Sequence, residues 1–283
     1  MSAGSPIVRL GAVSYLNTRP LVEGLAVRPD VALRFDVPAR CADLVEAGEV
    51  DLGLVPIIEY ARHADDYAVV PDVSIASLAA VDSVALFTRQ PIERVQSIAL
   101  DVSSRTSAGL VRLLCARHFR IRPAFVPAAP DIRAMLASAD AALLIGDPAL
   151  FLDPASVDAE KIDLGLAWRA MTGLPFVWAV WAGRTDAASP DVCRLLYDAR
   201  LRGEAAIDTI ARRERPDDPA AQALVARYLR ETITYGLDGP LLAGAQAYFD
   251  GLAGEGLIRR APRLRLFTRQ AGAVDGPPAP AGR

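Results

Sequence analysis

The chain has 283 residues, 52% hydrophobic and 23% charged, with a formal net charge of −3. This composition excludes a disordered chain and gives length enough for two domains, each with its own core. No apolar run reaches the roughly 18 residues of a membrane span, and the absence of a basic excess argues against nucleic acid as the main partner.

Met1-Ser2-Ala3-Gly4-Ser5-Pro6 lacks the basic stretch and apolar core of a secretory signal, so a cytoplasmic location is expected. A first strand is predicted over 7–13, followed by the polar loop Ser14-Tyr15-Leu16-Asn17-Thr18-Arg19-Pro20 and an apolar, helix-like stretch. A strand over 32–37 ending at Pro38, a helix over 41–47 and a strand over 51–55 ending at Pro56 come next. The strand over 83–87, with Gln90-Pro91 as its exit, is expected to close the first lobe.

The same order then returns. A strand over 97–101 leads through Ser103-Ser104-Arg105-Thr106-Ser107 into an apolar helix over 110–119. A strand over 124–126 with Pro127, a helix over 131–137 and a strand over 141–145 follow, closed by Gly146-Asp147-Pro148. Two βαβαβ units predict an α/β protein of two lobes facing one another across a ligand cleft. Ligands of open α/β sheets sit beyond the carboxyl ends of the strands, so the loops 14–20 and 102–107 are expected to line the cleft from opposite sides.

Phe176 to Trp181 reads as a returning strand, and the chain is expected to cross between lobes near 88 and 182. That gives residues 1–88 with 183–270 as one lobe and 89–182 as the other. Ser189-Pro190, Pro219 and Pro240 open three helices, through about 213, 235 and 252, that wrap the first lobe. The tail 271–283, of Gly, Pro and Ala, is expected to be disordered.

Cys41, Cys115 and Cys193 show no metal-ligand spacing and read as buried structural thiols, and with only His63 and His118 a zinc site is not expected. Lys161 is the one lysine, and no Gly-rich phosphate loop or dinucleotide fingerprint occurs, so no cofactor is expected. At 14–20, polar side chains beside the free N–H groups of a helix start suit an anion, although Asn17 or Thr18 serving only as a cap explains the motif equally well. The four hydroxyls of Ser103, Ser104, Thr106 and Ser107 exceed what a cap requires and point more firmly to a ligand. Asp147 reads as a base or a ligand acceptor, or as the cap of the helix at Pro148, and the cap is favoured. Arg40 suits either a carboxylate or a surface ion pair. Phe176, Trp178 and Trp181 read as core before ligand stacking.

Several of these motifs together are specific. Gly11-Ala12-Val13-Ser14-Tyr15-Leu16-Asn17-Thr18-Arg19-Pro20-Leu21, Val37-Pro38-Ala39-Arg40-Cys41-Ala42-Asp43-Leu44 and 51–60 are three of them. With Asp101 to Ser107 and 143–148, they closely resemble the chorismate dehydratase family of the futalosine route to menaquinone. The resemblance is strong over 7–184 and weak over the helical remainder. It implies a type II periplasmic-binding-protein-like fold and the loss of water from chorismate to give 3-(1-carboxyvinyloxy)benzoate, with no metal or redox cofactor. It implies Asn17 and Asp147 as catalytic residues. Ser14, Tyr15, Asn17, Thr18, Arg40, Ser83, Ser103, Ser104, Thr106 and Gly146 are the implied substrate contacts. The base is then either Asp147 or, slightly favoured, the substrate's own enolpyruvyl carboxylate. Two other readings share the fold: a small-anion binding protein without chemistry, and the sister dihydroxynaphthoate synthase, whose first loop does not read Ser-Tyr-Leu-Asn.

Overall fold

The computed structural model describes residues 8–268; the tail expected to be disordered lies outside them. The first sheet is opened by β1 (Val8–Val13), a 3-10 segment (Leu16–Val22) and β2 (Val31–Asp36), then α1 (Pro38–Glu46) and β3 (Leu52–Pro56). It continues through α2 (Ile57–Arg62) and β4 (Tyr67–Ser77). The second sheet contains β5 (Val84–Thr88), β6 (Ser97–Asp101), β7 (Ala124–Ala128), β8 (Ala141–Ile145) and β9 (Glu160–Asp163). Its helices are α3 (Arg105–Leu114), α4 (Ile132–Ser138), α5 (Gly146–Phe151) and α6 (Leu164–Thr172). The chain then returns as β10 (Phe176–Arg184) and ends in α7 (Pro190–Ala205), α8 (Ile207–Glu214), α9 (Pro219–Arg227) and α10 (Gly239–Gly254).

The strand orders are β2-β1-β3-β10-β4 and β7-β6-β8-β5-β9, so the repeat in the sequence is a repeat of topology. In each sheet three parallel strands from a βαβαβ unit are followed by an antiparallel strand that arrives from the other sheet. This moves the expected lobe boundaries. Val84–Thr88 pairs with β8 and β9 and belongs to the second lobe, while Phe176–Arg184 lies between β3 and β4 in the first. The crossings are therefore the connections 78–83 and 173–175, not 88 and 182. Both strands are buried apolar runs, which fit the middle of either sheet equally well, so pattern alone does not choose the partner.

The central strands β3 and β8 are buried at every position, as strands covered on both faces must be, whereas β2 and β7 sit at edges and are partly exposed. Pro127 falls in β7, where an edge strand tolerates the missing donor. Strand β4 was not among the expected elements. The residues between Val69 and Ser74 are an irregularity in its pairing with β10, with Asp72 at a φ of 62°.

An aromatic cluster holds the second crossing. Trp168 of α6 meets Phe176 of β10 edge-on at 5.2 Å, and Phe176 meets Tyr248 of α10 at 5.0 Å. The Trp168 indole N–H is satisfied by the Pro175 carbonyl at 3.1 Å. Phe176, Trp178 and Trp181 are all buried in the core, as expected, and Trp178 also lines the space between the lobes. The helix expected over 190–213 breaks at Ala206, and that over 219–235 gives way to a π turn over 228–232. Helices α7 and α8 pack on the 3-10 segment, while α10 covers β10 and reaches α2 and α3. Cys41, Cys115 and Cys193 are free and buried, and burial pushes their thiols up to about 12, 12 and 11, the state of structural thiols.

Candidate functional site

The carboxyl ends of β1, β3, β6 and β8 converge on a cavity between the two sheets, about 520 Å³ with its mouth included. This is the position of ligand sites in such sheets. Its walls are apolar, from Val13, Ile75, Val81, Val84, Ile145 and Trp178. Its polar groups are Tyr15 and Asn17 from the first loop, Ser83 from the first crossing, and Ser104, Thr106 and Ser107 from the start of α3. Among the described residues no charged side chain lines it.

What the cavity offers an anion is backbone instead. The first intrahelical bond of α3 runs from the Ala108 N–H to the Ser104 carbonyl, so the amides of Arg105, Thr106 and Ser107 have no acceptor within the helix. Ser104, Thr106 and Ser107 are buried, and the Ser104 side chain caps nothing. Three hydroxyls beside a free helix N-terminus suit a carboxylate, which also gains from the helix dipole. Thr106 has a second engagement, since its Oγ1 accepts from the Ile58 N–H of the opposite lobe at 3.4 Å.

At the other end of the cavity, Tyr228 joins two of the expected residues. Its hydroxyl lies 2.7 Å from Ser83 Oγ, with the Asn17 side chain beside it. Burial pushes the phenol well above its ordinary value, so Tyr228 stays neutral. Asn17 Oδ1 is buried beside the cavity without a partner. An amide oxygen left unmatched in a site is an acceptor awaiting a donor. Tyr228 carried no signal in the sequence, because it sits in a helical stretch whose spacing gives no sign that a π turn aims it inward.

Of the expected residues, the fold thus brings together Tyr15, Asn17, Ser83, Ser104, Thr106 and Gly146. The other five lie off the cavity wall. Arg40 is at the surface, 3.5 Å from Glu49, which is the ion pair that was its alternative reading. Thr18 is buried beneath the loop with its hydroxyl unpartnered, and Ser14 donates its amide to the Asp36 carbonyl at 3.0 Å. Ser103 gives its hydroxyl to Asp101 Oδ1 at 2.7 Å. Asp147 does cap a helix start, but in the other lobe: its Oδ1 accepts from the Leu16 N–H at 3.0 Å. Burial raises the Asp147 carboxyl, and the Leu16 bond and the nearby Arg215 and Arg19 pull it back. Lys161 donates to the carbonyls of Asp82 and Ala149 and is structural.

The model of a family described as menaquinone biosynthesis matches residues 8–253. A chorismate dehydratase of Thermus thermophilus is 30% identical over 259 residues, which is 86% of this chain and 94% of that protein. Among solved structures, an Archaeoglobus fulgidus protein superposes with a TM-score of 0.71 at 17% identity, over 89% of this chain and 98% of the other. A Candida albicans gene product described as having the generic periplasmic binding protein fold gives 0.66 at 14% identity, over 96% and 99%. These two likenesses establish a two-lobed fold of the periplasmic-binding-protein type. With the family match spanning both sheets and the cavity between them, the chain belongs to the menaquinone biosynthesis family.

Proposed function

We propose that this protein is a chorismate dehydratase, a hydro-lyase that removes water from chorismate to give 3-(1-carboxyvinyloxy)benzoate. The observation that carries the reading is the cavity itself. It pairs an uncharged, hydroxyl-rich helix N-terminus with an apolar slot and a separate polar group of Asn17, Ser83 and Tyr228, the last two hydrogen-bonded at 2.7 Å. The kinship with the Thermus thermophilus enzyme supports it.

Chorismate offers a ring carboxylate, a second carboxylate on its enolpyruvyl ether, and a leaving hydroxyl. In this reading the ring carboxylate sits at the start of α3, against Ser104, Thr106 and Ser107. Loss of the proton at the ether-bearing carbon pushes electrons through the diene into that carboxylate, so donors fixed there stabilise charge as it develops. The electrons then return to expel the hydroxyl from the adjacent carbon, and the ring becomes aromatic. The proton and the hydroxyl leave together as water, so atoms and electrons balance without an oxidant. Asn17, Ser83 and Tyr228 orient the reacting edge of the ring. Asp147 is bonded to the Leu16 amide and lies off the cavity wall, which favours the substrate's enolpyruvyl carboxylate as the base. The protein then supplies position and exclusion of water.

Mixing the purified protein with chorismate tests the reading, with the product followed by absorbance and mass. An aromatic product lighter than chorismate by one water is expected. Binding without conversion would instead make the protein a small-anion carrier of the same fold.

A further inference from the structure

We propose that Asp147 and the Asp101–Ser103 pair are positioning residues for Asn17: they hold the Tyr15–Asn17 turn from the opposite lobe, so that Asn17 is set for reaction only when the lobes are together. The proposal rests on the reading of Asn17 as a substrate-contacting residue. The turn is closed by the Thr18 N–H on the Tyr15 carbonyl at 3.1 Å, but its first amide finds no partner within its own lobe. Tyr15, at the N-cap of the 3-10 segment, has no side-chain capping bond, and the Leu16 N–H has no acceptor in its own lobe. Asp147 supplies that acceptor across the cleft at 3.0 Å.

Tyr15 is confined at a second point. Its hydroxyl lies beside the Ser103 side chain, and Ser103 is fixed in turn by Asp101 Oδ1, which accepts from both its N–H at 2.8 Å and its Oγ at 2.7 Å. Between these points the Tyr15 ring lies flat on Gly146, where a Cβ would stand 2.7 Å from three ring carbons. Asp101 is 1% exposed, and its Oδ2 has no partner. A buried carboxylate that is only half satisfied costs stability, and such costs are retained where they serve a site. Arg19, Glu214 and Arg215 are the charges around Asp147, so that it faces both signs.

The test compares Asp147→Asn, which keeps an acceptor for Leu16, with Asp147→Ala, which does not, and adds Ser103→Ala, Tyr15→Phe and their double variant. Two readouts are taken: steady-state kinetics with chorismate, and hydrogen–deuterium exchange over 15–17. Asp147→Asn should retain kcat within about threefold and keep the segment protected. Asp147→Ala should lower kcat about tenfold or more while KM moves less, and should speed exchange at 15–17 without affecting β1 or β3. Ser103→Ala and Tyr15→Phe should match one another, with the double variant no worse than either.

If Asp147→Asn is as inactive as Asp147→Ala while 15–17 stays protected, Asp147 acts on the substrate and the proposal is wrong. If every variant keeps parental kcat and exchange, the contacts are idle and it is wrong again. A parent protein inert toward chorismate would sink the dehydratase reading alone, because the exchange measurements still decide whether the second lobe holds the turn. Should Asp147→Ala fail to fold, Ser103→Ala and Tyr15→Phe carry the same comparison.

Discussion

At the scale of single residues, Asn17 stands apart because its carbonyl oxygen is buried, unpartnered and beside the cavity. A hydrogen bond to a charged group is worth about 1.5–3 kcal/mol. Asn17→Ala should therefore lower kcat/KM by roughly tenfold to a little over a hundredfold, with the loss mainly in kcat if the contact tightens in the transition state. Steady-state kinetics check this, and a near-parental value in a folded variant would mean that Asn17 does not touch the substrate. Gly146 is constrained twice, by a φ of 67° and by the Tyr15 ring pressed on its Cα. The left-handed conformation costs a side chain about 1–2 kcal/mol, and the ring must also move, so Gly146→Ala should lose at least about tenfold in kcat/KM. Asp101 gives a pH signature. Its carboxyl lies above the ordinary 3.8, raised by burial and pulled back by the two Ser103 bonds. A carboxyl with a raised folded value holds its proton better folded than unfolded. Its stabilising contribution is complete below 3.8 and is lost as pH rises through the folded value. Asp101→Asn keeps an acceptor for Ser103 without the charge. It should be more stable than the parent toward urea at about pH 7 and similar to it at about pH 3. A variant less stable at both would show that the charge itself stabilises the fold.

At the scale of elements, α3 does two things at once. Its N-terminus faces the cavity, and its flank is clamped to the first lobe. Gly109 lies where a Cβ would stand 2.6 Å from the Tyr248 hydroxyl, and that hydroxyl donates to the Thr106 carbonyl at 2.8 Å. Arg105 reaches Asp43 at 2.7 Å and Glu59 at 3.3 Å, both in the first lobe. The Glu59 side chain is only 5% exposed, so removing Arg105 leaves a buried carboxylate with Arg62 as its remaining partner. Arg105→Ala should cost about 1–3 kcal/mol in urea unfolding, whereas Arg28→Ala, which breaks the exposed pair with Asp30, should leave the unfolding midpoint essentially where it was. Equal effects from the two would mean that the Arg105 contacts are no more than surface pairs. Elements differ in how far the sequence reveals them. The two βαβαβ units were legible because each strand is short, apolar and punctuated by Pro or a polar loop. The partners of 84–88 and 176–184 were not, because an apolar strand buried on both faces carries no mark of the sheet it joins. Half the cavity was legible for a related reason. Tyr15, Asn17, Ser104 and Thr106 sit in polar runs that open helices, while Tyr228 and Trp178 are drawn from segments that read as ordinary core.

At the scale of the whole molecule, the two sheets are copies of one topology set face to face, and the site exists only between them. Each lobe contributes what the other lacks: the first brings the Tyr15–Asn17 turn, and the second brings the α3 N-terminus and the Asp147 carboxylate that caps that turn. A fold with two crossings suits hinge closure about those connections. Ligand should therefore reduce the radius of gyration in solution scattering, and an unchanged radius at saturating ligand would argue against closure on binding. Trp178 lines the cavity and donates its indole N–H to Ser77 Oγ at 3.1 Å. Its fluorescence offers a second view of the same event. The central claim is that this cavity dehydrates chorismate by positioning it, with the substrate's own carboxylate as base. The most direct measurement is a single-turnover reaction of the parent protein and Asp147→Asn with chorismate, the product identified by absorbance and mass. The account predicts 3-(1-carboxyvinyloxy)benzoate from both, at rates within about threefold of each other. A parent that forms no aromatic product, or an Asp147→Asn variant that binds chorismate normally but forms none, would contradict it.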